Sequence, residues 1–439
     1  MTQENQTKEF DVLIVGAGFA GIYQLLKLRK LGLSAVILEK ADQIGGTWHW
    51  NRYPGARCDI PSLEYSYQFD EDLQQEWNWS EKYSAQPEIL DYINHVADRF
   101  ELRDGIQFEE EVLSANFNES TSKWHITSSK GQYETRFCIF ATGCLSIPNK
   151  PDFQGLENFK GQLLQTSSWP QEEQDFTGKR VAIIGTGSSA IQSIPLIAEQ
   201  AEVLYVFQRT PNYSIPSNNG PMDKSVEKDV KSRYSQFRKD NYLNGFGIAA
   251  ISDESLISES DINEVNQQLE ENWQSAGLGF FGGYADIPID KEANAVAANF
   301  VRNKIKGIVK DPETASLLTP DYHIGGKRLC VDTGYFETTE ETDQSHGGNW
   351  DVRLYISHYH AGLWIVDLET LIAPEATDRI DIHFESTIGY YLPSGHIDGT
   401  PLDSAYYDFG WVPFLWAVEF HEGVIYASCI STGLYILQL

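Results

Sequence analysis

Two segments of the chain repeat one pattern of apolar and polar positions. Residues 10–15 (FDVLIV) and 35–40 (AVILEK) are apolar runs of strand length, and a run with helical periodicity at residues 22–32 separates them. Residues 179–184 (KRVAII) and 203–209 (VLYVFQR) enclose a second helical run in the same way. The alternation of strand, helix and strand predicts two βαβ units and therefore parallel sheets.

The segments between and after these units carry different patterns. Residues 114–128 and 133–140 alternate as antiparallel strands do, and residues 145–155 (LSIPNKPDFQG) have the composition of a linker between domains. Residues 222–310 are polar with helical periodicity, which predicts a helical insertion inside the second βαβ domain.

From Asn349 onward strand-like runs dominate. Residues 354–368 resemble residues 425–439, and each copy reads as two strands joined through a glycine turn. One or two such blades predict a β-propeller-like segment too short to close. The predicted domains are residues 1–145, residues 146–340 and residues 341–439.

Charge and composition exclude several classes of partner. The chain carries 63 acidic against 33 basic residues, a net charge of −30, which disfavours nucleic acid and anionic membranes. No apolar run is long enough for a membrane span, and the N-terminal residues lack an apolar signal core. The 5 cysteines have no metal-ligand spacing. We therefore expect free thiols, a cytoplasmic location and no metal.

Glycines mark the first βαβ turn as a nucleotide site. Gly16, Gly18 and Gly21, with Phe19 between them, form G-x-G-x-x-G directly between strand and helix. The first glycine permits the tight turn, the second lets the backbone approach a pyrophosphate, and the third allows close packing. Glu39, at the end of the next strand, has the position of an acid that binds ribose.

The second βαβ unit repeats the arrangement as G-x-G-x-x-A. The candidate cofactor-binding residues of this turn are Gly185, Thr186, Gly187, Ser188 and Ala190. Arg209 ends the following strand where the first unit has an acid, and a cation there favours NADP over NAD. The alternative is a solvated surface arginine. The fold class is therefore α/β, with two Rossmann-like dinucleotide-binding domains, a helical insertion and a C-terminal all-β, propeller-like segment.

Three further motifs follow one another along the chain. They are GGTWHWNRYPGARCD at residues 45–59, FKGQLLQTSSWP at residues 159–170 and DYHIGGKRLCVDTGY at residues 321–335. To about residue 340 the chain resembles the Baeyer–Villiger monooxygenases, the cyclohexanone-monooxygenase-like branch of the class B flavin monooxygenases. The resemblance implies FAD and NADPH as cofactors, and the insertion of one oxygen atom of O2 into a ketone through a peroxyflavin.

The resemblance also implies roles for individual residues. Arg328 matches the arginine that stabilises the peroxyflavin anion, and Asp59 matches the aspartate that orients it. Lys327 and Arg209 match cations around the NADP 2′-phosphate. The positions that match flavin contacts are Gly46, Thr47, Trp48, Asp59 and Tyr65.

Gln165 stands where the family has a histidine, a departure that concerns the coupling of the domains rather than nucleotide binding. A larger departure supports an alternative: no second Ala-Thr-Gly strand end follows Gly143. The alternative is a catalytically impaired fusion or truncated flavoprotein that uses its β-rich tail to bind a protein partner. A neighbouring reaction, oxygenation of a heteroatom, is the related alternative within the enzyme class.

Overall fold

The computed structural model describes residues 7–145, 147–149, 153, 155–243, 247–248, 254–275 and 277–338, and the backbone of later strands at 351–356, 415–421, 424–429 and 433–438. The chain forms two units. One comprises Met1–Lys150 with Lys160–Ser357, and the other comprises Pro151–Phe159 with His358–Leu439. The first unit contains both nucleotide domains that the sequence predicts.

The first domain is built on a six-stranded sheet in the order β3-β2-β1-β6-β5-β4. The neighbouring strands β3, β2, β1 and β6 pair in parallel, while β4, β5 and β6 pair antiparallel, as predicted. Leu13 and Ile14 of the central strand are fully buried, and the first helix covers the sheet with Ile22, Leu25 and Leu26. The elements are β1 (Lys8–Val15), α1 (Phe19–Lys30), β2 (Ala35–Leu38), α2 (Thr47–Trp50), α3 (Glu71–Glu76), α4 (Gln86–Arg99), β3 (Ile106–Gln107), β4 (Val112–Asn118), β5 (Lys123–Ser128) and β6 (Gln132–Phe140).

The second domain contains the other predicted βαβ unit. The strands β7 (Arg180–Ile184) and β8 (Val203–Gln208) pair in parallel, and α5 (Ser188–Ala198) connects them. The helix buries Ile191, Ile194 and Ile197, spaced as one apolar face. A separate short parallel pair joins β9 (Ser214–Pro216) to β10 (Cys330–Asp332).

The segment predicted as a helical insertion is helical. It contains α6 (Lys224–Ser232), α7 (Tyr234–Leu243), α8 (Ile262–Ser275) and α9 (Lys291–Ile308). The helix α10 (Pro312–Leu318) lies just beyond the predicted limit at residue 310, and α11 (Tyr335–Thr338) follows β10. Asp223, Asp290 and Asp311 begin three of these helices by accepting hydrogen bonds from backbone N–H groups.

The strand β11 (Asp351–Ile356) lies beyond the domain limit expected at residue 340. It pairs in parallel with β8, so it extends the second nucleotide sheet to the order β11-β8-β7. The sequence predicts this strand in the β-rich segment because its apolar alternation resembles that of the C-terminal strands. Alternation shows that a strand has a buried face but does not show which sheet it joins.

The second unit contains an antiparallel sheet of β12 (Leu415–His421), β13 (Val424–Cys429) and β14 (Gly433–Gln438). The predicted pairing of two strands before and after residues 430–432 is present. The rest of the first repeat copy, residues 357–368, lies outside the described residues, so the propeller-like segment stays a prediction. Over the described part of the chain, no helix has the length and apolarity of a membrane span.

Candidate nucleotide and active site

The first glycine turn is closely packed by backbone. Gly16 lies between β1 and α1 with φ +102°, and a Cβ there would lie 2.7 Å from the Ala141 carbonyl oxygen. A Cβ on Gly21 would lie only 1.9 Å from the Gly16 carbonyl oxygen. Both positions therefore require glycine, and the N-terminus of α1 is held directly over the end of β1, where backbone N–H groups can face a phosphate.

Glu39 is buried and connects the first turn to the end of β2. Its carboxylate oxygens accept hydrogen bonds from the N–H groups of Ala17 at 2.6 Å and Ala41 at 2.8 Å. Each carboxylate oxygen has a second lone pair, so the group can still accept a ribose hydroxyl. The carboxylate is fixed at the turn, and the ribose contact stays a prediction.

The residues that match flavin contacts lie together beside this turn. Gly46 has φ +54°, and a Cβ on it would lie 2.9 Å from Gly18 Cα, so the segment before α2 approaches the first turn closely. Thr47 begins α2. The Trp48 indole N–H donates to the Tyr65 hydroxyl at 2.9 Å, and the Phe19 and Tyr65 rings lie 5.5 Å apart. These aromatic side chains therefore pack together beside the glycine turn.

The second glycine turn is open. Gly185 has φ +102°, and among the described residues no atom lies within 4 Å of a Cβ placed on Gly185 or on Gly187. Buried Thr186 is fixed by its hydroxyl, which donates to the Gln208 side chain at 3.2 Å. The Ser188 hydroxyl contacts the Cys330 sulfur at 3.5 Å, which joins the start of α5 to β10. The open turn has the room that a dinucleotide needs.

Two cations lie near the second turn. The charge of Arg209 acts on Lys327, whose pKa is lowered from its usual value first by burial and then by this neighbouring cation. The Lys327 ammonium also lies 5.1 Å from the centre of the Tyr322 ring. The carboxylate of Asp321 acts on the same ammonium in the opposite direction. Two neighbouring like charges repel each other, so the pair of cations favours an anion such as a phosphate.

Arg328 and Asp59 form an ion pair between distant parts of the chain. The guanidinium Nη2 donates to Asp59 Oδ2 at 2.9 Å. The Arg328 side chain is 66% exposed, whereas that of Asp59 is only 6% exposed. Burial raises the pKa of the Asp59 carboxyl, and the charge of Arg328 and its hydrogen bond oppose the shift. A buried carboxylate thus holds a cation whose side chain is open to solvent.

Two residues of the site escaped the sequence analysis. The Gln192 amide nitrogen donates to Asp59 Oδ1 at 3.0 Å, and the Tyr53 hydroxyl donates to Gln192 Oε1 at 2.9 Å. Gln192 is a buried polar position among the mainly apolar buried residues of α5, beside Ile191. Such an interruption is the signal that could have identified it, since a buried amide requires partners.

Residues 13–282 match the family described as pyridine nucleotide-disulphide oxidoreductase, which is more than half of the chain. The chain belongs to this family. Within it, the chain is similar to Baeyer–Villiger flavin monooxygenases, which confirms the resemblance predicted from the motifs.

Two relatives and two solved structures show this similarity. A Baeyer–Villiger monooxygenase of Pseudooceanicola batsensis is 39% identical over 334 residues, covering 74% of this chain and 61% of the relative. Cyclohexanone 1,2-monooxygenase of an Acinetobacter species is 39% identical over 341 residues, covering 76% and 62%. The structure of oxidized steroid monooxygenase bound to NADP has a TM-score of 0.76 at 45% identity, covering 80% of this chain and 66% of that one. An OTEMO complex with FAD and NADP has a TM-score of 0.75 at 36% identity, covering 80% and 66%. The chain therefore spans less than two thirds of these curated relatives.

Proposed function

We propose that the chain binds FAD at the first glycine turn and NADPH at the second, and that it inserts one oxygen atom of O2 into a ketone to give an ester or lactone. The observation that carries the proposal is the ion pair of Arg328 and Asp59. It joins the loop that follows the helical insertion to the aromatic segment beside the first turn. Similarity to cofactor-bound structures supports the choice of FAD and NADP.

The residues around the first turn fit a flavin nucleotide. Gly16, Gly18 and Gly21 would hold the pyrophosphate, Glu39 the ribose, and Trp48 and Tyr65 the flavin region. Bound flavin supplies the redox chemistry, taking a hydride from NADPH and reacting with O2. The protein supplies orientation and charge around that group.

Arg328 is the residue that we assign to stabilising negative charge. A guanidinium does not deprotonate at working pH, so it is a permanent positive charge beside atoms that become anionic during oxygen transfer. Asp59 occupies one side of the guanidinium and leaves its other N–H groups for the reacting atoms. In this assignment Arg328 is catalytic and Asp59 orients it.

The preference for NADPH is assigned to the cations near the second turn. Arg209 and Lys327 would bind the 2′-phosphate, which NADH lacks. The repulsion between the two cations falls when a dianionic phosphate lies between them. Discrimination between the two nucleotides should therefore depend on both residues.

A second candidate is a flavoprotein that binds both nucleotides but is impaired in oxygen transfer, with residues 341–439 binding a protein partner. The observation that favours it is that no second Ala-Thr-Gly strand end follows Gly143. Ketone oxygenation decides between the two candidates, since nucleotide binding is common to both.

The test uses purified protein and the variant Arg328→Ala. We expect a yellow protein that oxidises NADPH with O2 and converts cyclohexanone to its lactone. The variant should keep flavin reduction by NADPH and lose ketone conversion, because only the later step develops the negative charge that Arg328 stabilises. Arg233→Ala, at an exposed ion pair on α6, is the matched control and should match the wild type. A colourless folded protein, or conversion by Arg328→Ala at the wild-type rate, would contradict the proposal.

A further inference from the structure

Asp59 is held on both of its carboxylate oxygens. Arg328 binds Oδ2, and the amide nitrogen of Gln192 binds Oδ1 at 3.0 Å. Gln192 belongs to α5 of the second nucleotide domain, whereas Asp59 belongs to the segment that follows α2 in the first. The carboxylate is therefore bound by two groups that come from separate parts of the second domain.

The orientation of the Gln192 amide is determined by its partners. An ionised carboxylate only accepts hydrogen bonds, so the amide NH2 must face Asp59 and the amide oxygen must face Tyr53. The Tyr53 hydroxyl donates to that oxygen at 2.9 Å. The NH2 group also approaches the Arg57 carbonyl oxygen at 3.3 Å. Gln192 is only 3% exposed, so the amide has no competing bulk water.

Backbone contact fixes the distance between the two domains at this place. Gly55 has φ +77°, and a Cβ on it would lie 2.3 Å from the Gln192 carbonyl oxygen. The segment of residues 53–59 therefore lies directly on α5 without an intervening side chain. Because α5 begins at the second glycine turn, the same helix carries both the nucleotide-binding backbone and the amide that binds Asp59.

We propose that Gln192 is a positioning residue that fixes the Asp59 carboxylate, and through it the direction of the Arg328 guanidinium, with Tyr53 keeping the amide oriented. Gln192 thereby connects the helix of the NADP turn to the arginine of the active site. The role in oxygenation depends on the proposed function, whereas the effect of Gln192 on the Asp59 carboxylate does not.

The surroundings of Asp59 allow the effect of the Gln192 hydrogen bond to be measured as a change in the pKa of the Asp59 carboxyl. The described groups that interact electrostatically with this carboxyl are the cation of Arg328, the Cys58 and Cys330 thiols and the Tyr53 and Tyr83 phenols. The pKa values of these thiols and phenols are raised by burial, so near neutral pH Arg328 is the one charged member of this set. Removing the Gln192 N–H leaves the charged form of Asp59 with fewer donors and raises its pKa further.

The experiment compares Gln192→Leu with the wild type by NMR of carboxyl-13C-labelled aspartate in the purified protein. Asp59→Asn assigns the Asp59 signal. A hydrogen bond to a charged group predicts an upward shift of about one pKa unit or more in Gln192→Leu. Tyr53→Phe should give a smaller upward shift, since the amide remains but loses the donor that orients it. Gln74→Leu is the matched control: Gln74 is also buried, accepts a hydrogen bond from Arg238, and should leave the titration unchanged.

A second measurement tests the consequence for catalysis. A protonated Asp59 no longer holds Arg328, so the acid limb of the pH profile of ketone oxygenation should move upward in Gln192→Leu by the same shift that NMR records. NADPH oxidation without product should increase, and Gln192→Leu should add no further loss in the Arg328→Ala background.

An unchanged Asp59 titration in folded Gln192→Leu, or an equal shift in Gln74→Leu, would overturn the inference. If Gln192→Leu does not fold, an unshifted Tyr53→Phe overturns it. Because NMR requires no turnover, a shifted titration in a protein that oxygenates no ketone would refute the proposed function and leave this inference standing.

Discussion

The open space around Gly187 allows ligand binding to be separated from stability. Gly187 precedes α5 with φ −81° and ψ 178°, which alanine adopts without strain, and a Cβ there would meet none of the described atoms within 4 Å. Alanine is a poorer residue than glycine at a helix N-cap by about 0.5–1 kcal/mol. The lower entropy of the unfolded chain offsets this by about 0.4–1 kcal/mol. Gly187→Ala should therefore change the free energy of unfolding by less than about 0.5 kcal/mol.

The same methyl group should weaken nucleotide binding strongly. The second glycine of the fingerprint lets the backbone approach a pyrophosphate, and a Cβ removes that approach. We expect NADP+ to bind at least about tenfold more weakly, which corresponds to about 1.4 kcal/mol. Isothermal titration with NADP+ and urea unfolding would measure the two effects on the same preparation.

Gly185→Ala is the matched control for this substitution. The space around Gly185 is equally open among the described residues, but φ is +102°, so alanine is strained and should lower stability by about 1–3 kcal/mol. If Gly187→Ala binds NADP+ within twofold of the wild type, the pyrophosphate does not lie against this turn. If it unfolds as readily as Gly185→Ala, the backbone there is more constrained than the structure shows.

Three further substitutions test separate contacts. Arg328→Ala should lower stability by about 1 kcal/mol, since the arginine is largely exposed. Asp59 has a raised pKa and ionises as pH rises, so urea unfolding should show the loss above that pKa and little loss below it; a pH-independent loss would be inconsistent with the pair. Arg209→Ala should weaken NADPH binding about tenfold and leave NADH binding nearly unchanged, because the arginine is assigned to the 2′-phosphate. The affinities are measured by titration with each nucleotide, and an equal loss of affinity for both would argue against that contact. Gly55→Ala should lower the free energy of unfolding in urea by about 1–3 kcal/mol more than Gly178→Ala does, since both glycines have positive φ but only Gly55 lies against a carbonyl oxygen of α5. An equal loss of stability in the two variants would argue against this close approach.

Local patterns predicted the two βαβ units well. The apolar runs at residues 10–15 and 179–184 are β1 and β7, because the length and apolarity of a strand are properties of consecutive residues. Gly16 and Gly185 both have φ +102°, as the glycine motif requires. The polar helical segment was predicted for the same local reason.

Contacts between distant residues were not accessible in the same way. The pairing of Asp59 with Arg328 came from the family resemblance, since no periodicity relates residues so far apart in the chain. Gln192 was missed because the buried positions of α5 are mainly isoleucines, so the helix reads as an ordinary apolar one. The membership of β11 in the second sheet was missed because strand pairing depends on tertiary context.

The two glycine turns have the same sequence pattern but different surroundings, and the difference accords with two kinds of ligand. The first turn is enclosed by the Ala141 carbonyl and by Gly46, whereas the second has open space at both glycines among the described residues. A cofactor that stays bound through many turnovers gains from enclosure, whereas a nucleotide that exchanges in every turnover needs an open path. The arrangement thus supports the proposed binding of the flavin at the first turn and of the exchanging nucleotide at the second, with Arg328 and Gln192 of the second domain both bound to Asp59 of the first.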